Sequence, residues 1–314
     1  MSEYIISRQL EQFIKYRRSI GFIDKSTNTF LIGFVKHLED VGYSGHLTWK
    51  IVKEYCELKP SGSAKSKGRR FESLISFSKY VNAIDPESDI LPKLPYGKCH
   101  MRPRPHIYSK QEIKLLIEAC DNLYSPDGLR ILTMKTVIGL MVSTGLRTSE
   151  AVNLRIQDLD FSKKIIAVIN GKNGRDRTLP ILDSVLVELE AYINATEKIL
   201  KKQRSPIEHL FVTTGGKSAT VKVLDYVFSL IRDCIDTSDS DYQKAILYHL
   251  RHTFATRTIE RWQKEGKSPS DMLYYLSVYM GHVHPEDTYW YLSLTPTIIA
   301  NASSRCEILF GSEL

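Results

Sequence analysis

Three short stretches of this 314-residue chain hold side chains suited to phosphoryl chemistry. "TGLRTSE" places Arg147 and Glu150 three residues apart at a helix start after Gly145, so the two share one face. An arginine there can hold a phosphate at a helix N-terminus. By itself, an R-x-x-E pair reads more readily as a surface ion pair. "YHLRHTFATR" packs Tyr248, His249, Arg251 and His252 into one helical turn, with Tyr248, Arg251 and His252 on neighbouring positions. Taken alone, that turn fits a helix that buries His252 and exposes Arg251. "MGHVHPEDTYWYL" carries His282 and, soon after it, Tyr289 and Tyr291. Residues two apart on a helix point roughly 200° from each other, so one of these tyrosines at most can face a shared ligand.

The elements that must position these residues are mainly helical. In the first ninety residues Ile6, Leu10, Phe13 and Ile14 form one apolar stripe. Phe30, Leu31, Phe34, Val35 and Leu38 form a second, and Phe71, Leu74, Ile75 and Val81 a third. Thr48 is expected to cap a short helix carrying Ile51, Val52 and Tyr55. Lys65, Lys67, Arg69 and Arg70 cluster at the entry of the third stripe, where phosphate contacts and a solvated helix end fit almost equally well. "LPKLPYGKCHMRPRP" then reads as an extended basic linker, because proline lacks the amide donor a helix needs. Ser109 and Glu112 have the spacing of a capping box and open a new domain. "KKIIAVIN" and "RTLPI", joined by "GKNGRD", predict a hairpin or small antiparallel sheet. The chain is therefore expected to hold a helical unit at residues 1–90, a linker at 91–108 and an α+β unit at 109–314, in a mainly α fold with a small antiparallel β-sheet.

Composition narrows the function. Residues 1–108 hold 18 Lys and Arg against 11 Asp and Glu, which is the whole net excess of +7. The first third is thus the better candidate for an electrostatic footprint on nucleic acid. Cys56, Cys99, Cys120, Cys234 and Cys306 are odd in number and lack any C-x-x-C pair, which points to reduced thiols in the cytoplasm. No stretch reads as a signal peptide, and "ILTMKTVIGLMV" is too short to span a bilayer, so no membrane partner is expected. His249, His252, His282 and His284 can be drawn as ligands of a metal-dependent nuclease, but no H-E-x-x-H motif supports that reading.

In their order along the chain, "TGLRTSE", a lysine in a β-turn, "LRHTFAT", "MGH" and a tyrosine nine residues later resemble the tyrosine recombinase, or phage integrase, family over most of residues 109–295. The resemblance implies a helical core-binding domain before an α+β catalytic domain. It matches Arg147 to the first active-site arginine, Glu150 to the acidic residue after it, and Lys172 to the hairpin lysine. Arg251 matches the second arginine, His282 the late histidine and Tyr291 the nucleophile. Tyr289 is then left as packing. The family writes H-x-L-R-H where this chain has Tyr248; His249 is adjacent, but one residue turns it about 100° away.

The implied chemistry is strand exchange on duplex DNA through a 3′-phosphotyrosine, without metal, ATP or other cofactor. Tyr291 would attack phosphorus, Arg147, Arg251 and His282 would grip its oxygens, and Lys172 would protonate the leaving 5′-oxygen. Glu150 and His252 would support them, and Tyr248 would position the phosphate. The expected partner is a double-stranded recombination site held by a homotetramer, with room for accessory or related subunits, and the tail 301–314 docking in a neighbouring protomer. Mobile-element integration, excision or transposition is favoured over Xer-like dimer resolution, since "DTYWYLS" and Tyr248 differ from the housekeeping branch. A type IB topoisomerase shares the chemistry but not the assembly. A non-catalytic DNA-binding regulator would leave the Arg–Lys–Arg–His–Tyr order as coincidence.

Overall fold

The computed structural model describes residues 5–22, 25–58, 64–93, 104–169, 171, 176–235 and 244–294, without the side chains of residues 25, 26, 64, 65, 269 and 270. The chain divides into two compact units, Met1–Arg102 and Pro103–Leu314.

The first unit holds α1 (Ile5–Ser19), α2 (Lys25–Asp40), α3 (Trp49–Glu57) and α4 (Ala64–Ile84). Its core forms where the apolar stripes meet: Leu10 and Phe13 from α1, Leu31, Phe34 and Leu38 from α2, Val52 from α3, and Phe71, Leu74, Phe77 and Val81 from α4. Thr48 caps α3 by accepting from the Ile51 amide. Leu91, from the segment read as linker, closes this core. Positions 65, 67, 69 and 70 all fall in the first two turns of α4; Arg69 is exposed, Lys67 and Arg70 half-buried.

The second unit is built around α6 (Leu129–Thr144), which buries side chains on every side and packs against α8 (Asp183–Leu200) and α10 (His249–Lys264). Before it, α5 (Lys110–Ala119) opens with the capping box of Ser109 and Glu112, both of whose hydrogen bonds form, at 3.1 and 2.6 Å. Tyr108 is buried against α10: its amide donates to Thr253 Oγ1 (3.0 Å) and its hydroxyl to the Ile246 carbonyl (2.8 Å). After α7 (Thr148–Asn153), the strands β1 (Leu159–Asp160), β2 (Ile165–Val168) and β3 (Arg177–Pro180) form one antiparallel sheet in the order β1-β2-β3. Ile166 pairs with Leu159 and Leu179, all three facing the core. Then follow α9 (Val221–Ile231), α10, α11 (Pro269–Met280) and the one-turn α12 (Glu286–Tyr289). The turn carrying Lys172 and the tail from residue 295 lie outside the described residues. No helix among the described residues is long and apolar enough to cross a membrane.

Candidate active site

Two glycines set the frame. Gly145 ends α6 and Gly281 ends α11, at φ 64° and 65°, a left-handed conformation that a side chain disfavours. Neither has room for one. A Cβ at Gly145 would stand 2.4 Å from the Phe254 ring, and one at Gly281 would stand 2.9 Å from Arg177 Nη1. The last carbonyls of a helix lack intrahelical partners. At the end of α11, three successive ones are each taken by a different arginine. Arg177 Nε donates to Tyr279 O (2.9 Å), Arg251 Nη2 to Met280 O (2.7 Å) and Arg147 Nη2 to Gly281 O (2.9 Å). Arg251 Nη1 also donates to Gly145 O at 2.7 Å, so it ties the two helix ends together.

Arg251 is wholly buried while His252 is only half-buried, the reverse of the exposure an isolated helix would suggest. Burying a guanidinium is costly unless hydrogen bonds compensate, and the two stopped helices supply their carbonyls for that purpose. Its Nε is buried with no partner among the described residues, a donor left over for an anion. Arg147 and Glu150 do pair, at 2.6 Å, but the pair is buried rather than on the surface. Glu150 takes four hydrogen bonds: from Arg147 Nη1 and backbone N–H, and from both terminal nitrogens of Arg177, at 2.9 and 2.8 Å. Burial alone would raise its pKa; the bonds from Arg177 and the Arg147 amide outweigh that and bring it down to about 2.

Tyr291 lies against this cluster, 2 % exposed, and its hydroxyl is 3.2 Å from His252 Nδ1. Burial pushes the phenol up to about 12, opposed by the nearby charge of Arg251. His282 stacks on the Tyr291 ring at 6.2 Å between centroids. Its Nδ1 is 2.7 Å from Thr288 Oγ1 and its Nε2 3.2 Å from Arg251 Nη2. A guanidinium cannot accept, so Nε2 must, and Nδ1 then carries the proton and donates to Thr288. Burial, together with the charges of Arg251 and Arg147, brings His282 down to about 4, consistent with a neutral ring. Tyr289 is 54 % exposed. Its expected place in the packing is taken instead by Trp290, which joins the small core of Ala255, Ile259, Leu273, Leu276 and Met280 beneath Tyr291.

Tyr248 stands at the start of α10, partly exposed, its ring edge-on to His252 at 5.0 Å. His249 points elsewhere, buried and accepting from the His106 amide at 3.3 Å. Tyr248, Arg147, Thr148, Phe228 and Arg232 line a cleft of about 400 Å³. The structure therefore brings Arg147, Glu150, Tyr248, Arg251, His252, His282 and Tyr291 together. Lys172 falls outside the described residues, and Lys65, Lys67, Arg69 and Arg70 belong to the other unit. Sequence reasoning missed Arg177 and Thr288. The signal for Arg177 was present: strand alternation puts it on the side of buried Leu179, an unusual place for an arginine. Among the described residues, no three His, Cys, Asp or Glu side chains converge as a metal site.

The phage integrase family model matches residues 107–297. The proposed integrase/recombinase y4rB of Sinorhizobium fredii is 30% identical over 304 residues, 95% of this chain and 96% of that protein. Tyrosine recombinase XerA of Pyrococcus horikoshii is 26% identical, over 98% of this chain and 96% of its own. Two solved structures share the fold. The XerH site-specific recombinase bound to palindromic difH substrate has a TM-score of 0.61 at 19% identity, covering 96% of this chain and 85% of that one. The Tn1549 transposon integrase in complex with transposon right end DNA has a TM-score of 0.60 at 18% identity, over 90% and 94%. The chain belongs to the phage integrase family, the tyrosine recombinases, whose activity is site-specific DNA recombination.

Proposed function

We propose that the chain cuts and rejoins duplex DNA at specific sites through a covalent 3′-phosphotyrosine on Tyr291, without metal or ATP. The observation that carries this reading is the burial of the Tyr291 hydroxyl between His252 and Arg251, with His282 and Arg147 adjoining. Tyr291 Oη attacks phosphorus, the P–O5′ bond breaks, and a 5′-hydroxyl leaves with a proton from Lys172. The phenol is neutral at rest, and its proton passes to His252 Nδ1 as the phosphate enters. Arg251 Nε and Arg147 hold the non-bridging oxygens. In the DNA-free state His282 Nε2 accepts from Arg251, so it joins as a donor only after taking up a solvent proton at Nε2, which the negative charge of the entering phosphate favours. Tyr248, on the cleft wall, adds a hydroxyl donor. Rejoining reverses the steps with another strand's 5′-hydroxyl, and the phosphotyrosine conserves the bond energy.

The basic start of α4, at Lys65, Lys67, Arg69 and Arg70, serves as a phosphate-binding surface of the first unit, and four protomers synapse two sites. The biological role is integration or excision of a mobile element. Repeated element ends flanking the gene would support that role, and a single chromosomal site would favour dimer resolution. The chemistry is tested with a nicked duplex whose short 5′-hydroxyl fragment diffuses away after cleavage. A denaturant-resistant protein–DNA adduct is expected in chelator and without nucleotide. Cleavage that requires a divalent ion and leaves no adduct would refute the proposal.

A further inference from the structure

Arg177, on β3, is a buried cation that the steps above do not use. Its guanidinium is held on three sides. Both terminal nitrogens fork onto the two oxygens of Glu150, and Nε donates to the Tyr279 carbonyl. The Gly281 backbone lies so close that a Cβ there would stand 2.9 Å from Nη1, 3.1 Å from Cζ and 3.2 Å from Nε. We propose that Arg177 is a positioning residue for strand cleavage: it fixes Glu150 and the end of α11, and through them the poses of Arg147 and His282. This rests on the reading of the site as one for phosphodiester cleavage.

Each link is short. Glu150 holds Arg147 by its side chain and its amide, and Gly281 holds Arg147 by its carbonyl, so Arg177 touches both anchors of the first phosphate-gripping arginine. His282 follows Gly281 directly, so the backbone that Arg177 packs against also sets where that ring begins. Charge adds a second argument. Were Glu150 paired with Arg147 alone, the carboxylate would cancel the arginine. Arg177 supplies the compensating cation, so that Arg147, Arg177 and Arg251 face one carboxylate with a net excess of two positive charges. A phosphodiester under attack passes from one negative charge toward two, and a preorganised excess of that size matches the transition state better than the ground state. Lysine cannot reproduce the arrangement, because a single ammonium cannot fork onto a carboxylate and also reach the Tyr279 carbonyl.

The test compares Arg177→Lys and Arg177→Gln with the parent in single-turnover cleavage of saturating nicked substrate, in DNA affinity and in thermal unfolding. Lysine keeps the charge without the fork; glutamine keeps a donor without the charge. Both are expected to bind DNA within about threefold of the parent and to cleave it on the order of 10²-fold more slowly, the glutamine variant being the slower. Should glutamine prevent folding, the lysine variant decides. A folded variant that cleaves bound DNA at the parental rate overturns the proposal, as does a loss confined to DNA affinity. A parent that forms no adduct overturns instead the reading on which the proposal rests, and the same gel distinguishes the two failures.

Discussion

The hydroxyl of Tyr291 lies 3.2 Å from Nδ1 of His252, one turn of α10 past the position where the family usually places the first histidine of H-x-L-R-H. Tyr248 occupies that usual position, and its ring rests on His252 rather than on the nucleophile. Proton handling has thereby a different available partner, and the division of labour between the two residues can be measured.

His252→Phe keeps a ring of similar size between Tyr248, Trp290 and Tyr291 but removes both nitrogens. Cleavage of bound DNA is expected to slow by about 10²-fold, the usual worth of a positioned proton acceptor. Unchanged single-turnover cleavage would remove His252 from the chemistry.

Tyr248→Phe removes one hydroxyl from the cleft wall and nothing else. Its loss is expected to cost roughly tenfold in cleavage, about one neutral hydrogen bond. A variant as inactive as Tyr291→Phe would mean that Tyr248 itself is essential, and the role given to His252 would fall.

Gly281→Ala and Gly266→Ala separate backbone strain from displacement of the arginine cluster. Both glycines have positive φ, 65° and 71°, but a Cβ at Gly266 meets nothing within 4 Å. Each change is expected to cost about 1 kcal/mol or more in stability. Only Gly281→Ala should also slow cleavage, because its methyl displaces Arg177. Equal cleavage by the two variants would contradict the geometry.

How much of this was legible beforehand depends on how local each feature is. Arg147, Arg251, His282 and Tyr291 lie in short contiguous motifs; the helical offset allowed only one of Tyr289 and Tyr291, and the family spacing of nine residues after His282 picked Tyr291. The fate of Tyr289 was not legible, because Tyr291 and, packed against it, Trp290 fill the core under α12 and leave Tyr289 outside. The burial of Arg251 was hidden for another reason: its partners are carbonyls of Gly145 and Met280, and backbone groups leave no trace in composition. Strand alternation marked the inward side of Arg177, but its partners are 27 and 102 residues away, so what it holds there was beyond the reach of periodicity. The helices of both units, Thr48, the capping box and the antiparallel sheet were all visible as local patterns.

Stability should respond to acid in two stages. His249 and His282 are brought down to about 4 by burial, from an ordinary value near 6.5, so the fold favours their neutral forms. A depressed pKa contributes stability that is fully present above about 6.5 and lost as pH falls toward 4; for His249, 3 % exposed, that is on the order of 3 kcal/mol. The contribution of Glu150 is present above about 4.5 and lost toward 2. The unfolding temperature should therefore hold from pH 8 to 7, begin to fall near 6.5, and continue falling below 4.5. His249→Asn, which keeps an acceptor for the His106 amide without a titrating ring, should flatten the first stage. A parent equally stable at pH 7 and pH 4.5 would contradict both assignments.

The central claim is that Tyr291, not its exposed neighbour Tyr289, makes the bond to DNA. The direct measurement is to trap the protein on a nicked duplex, digest the adduct, and identify by mass spectrometry the tyrosine that bears the nucleotide. The account predicts the modification on Tyr291 alone, its disappearance in Tyr291→Phe with DNA binding retained, and its persistence in Tyr289→Phe. Nucleotide on Tyr289, or full trapping by Tyr291→Phe, would contradict it.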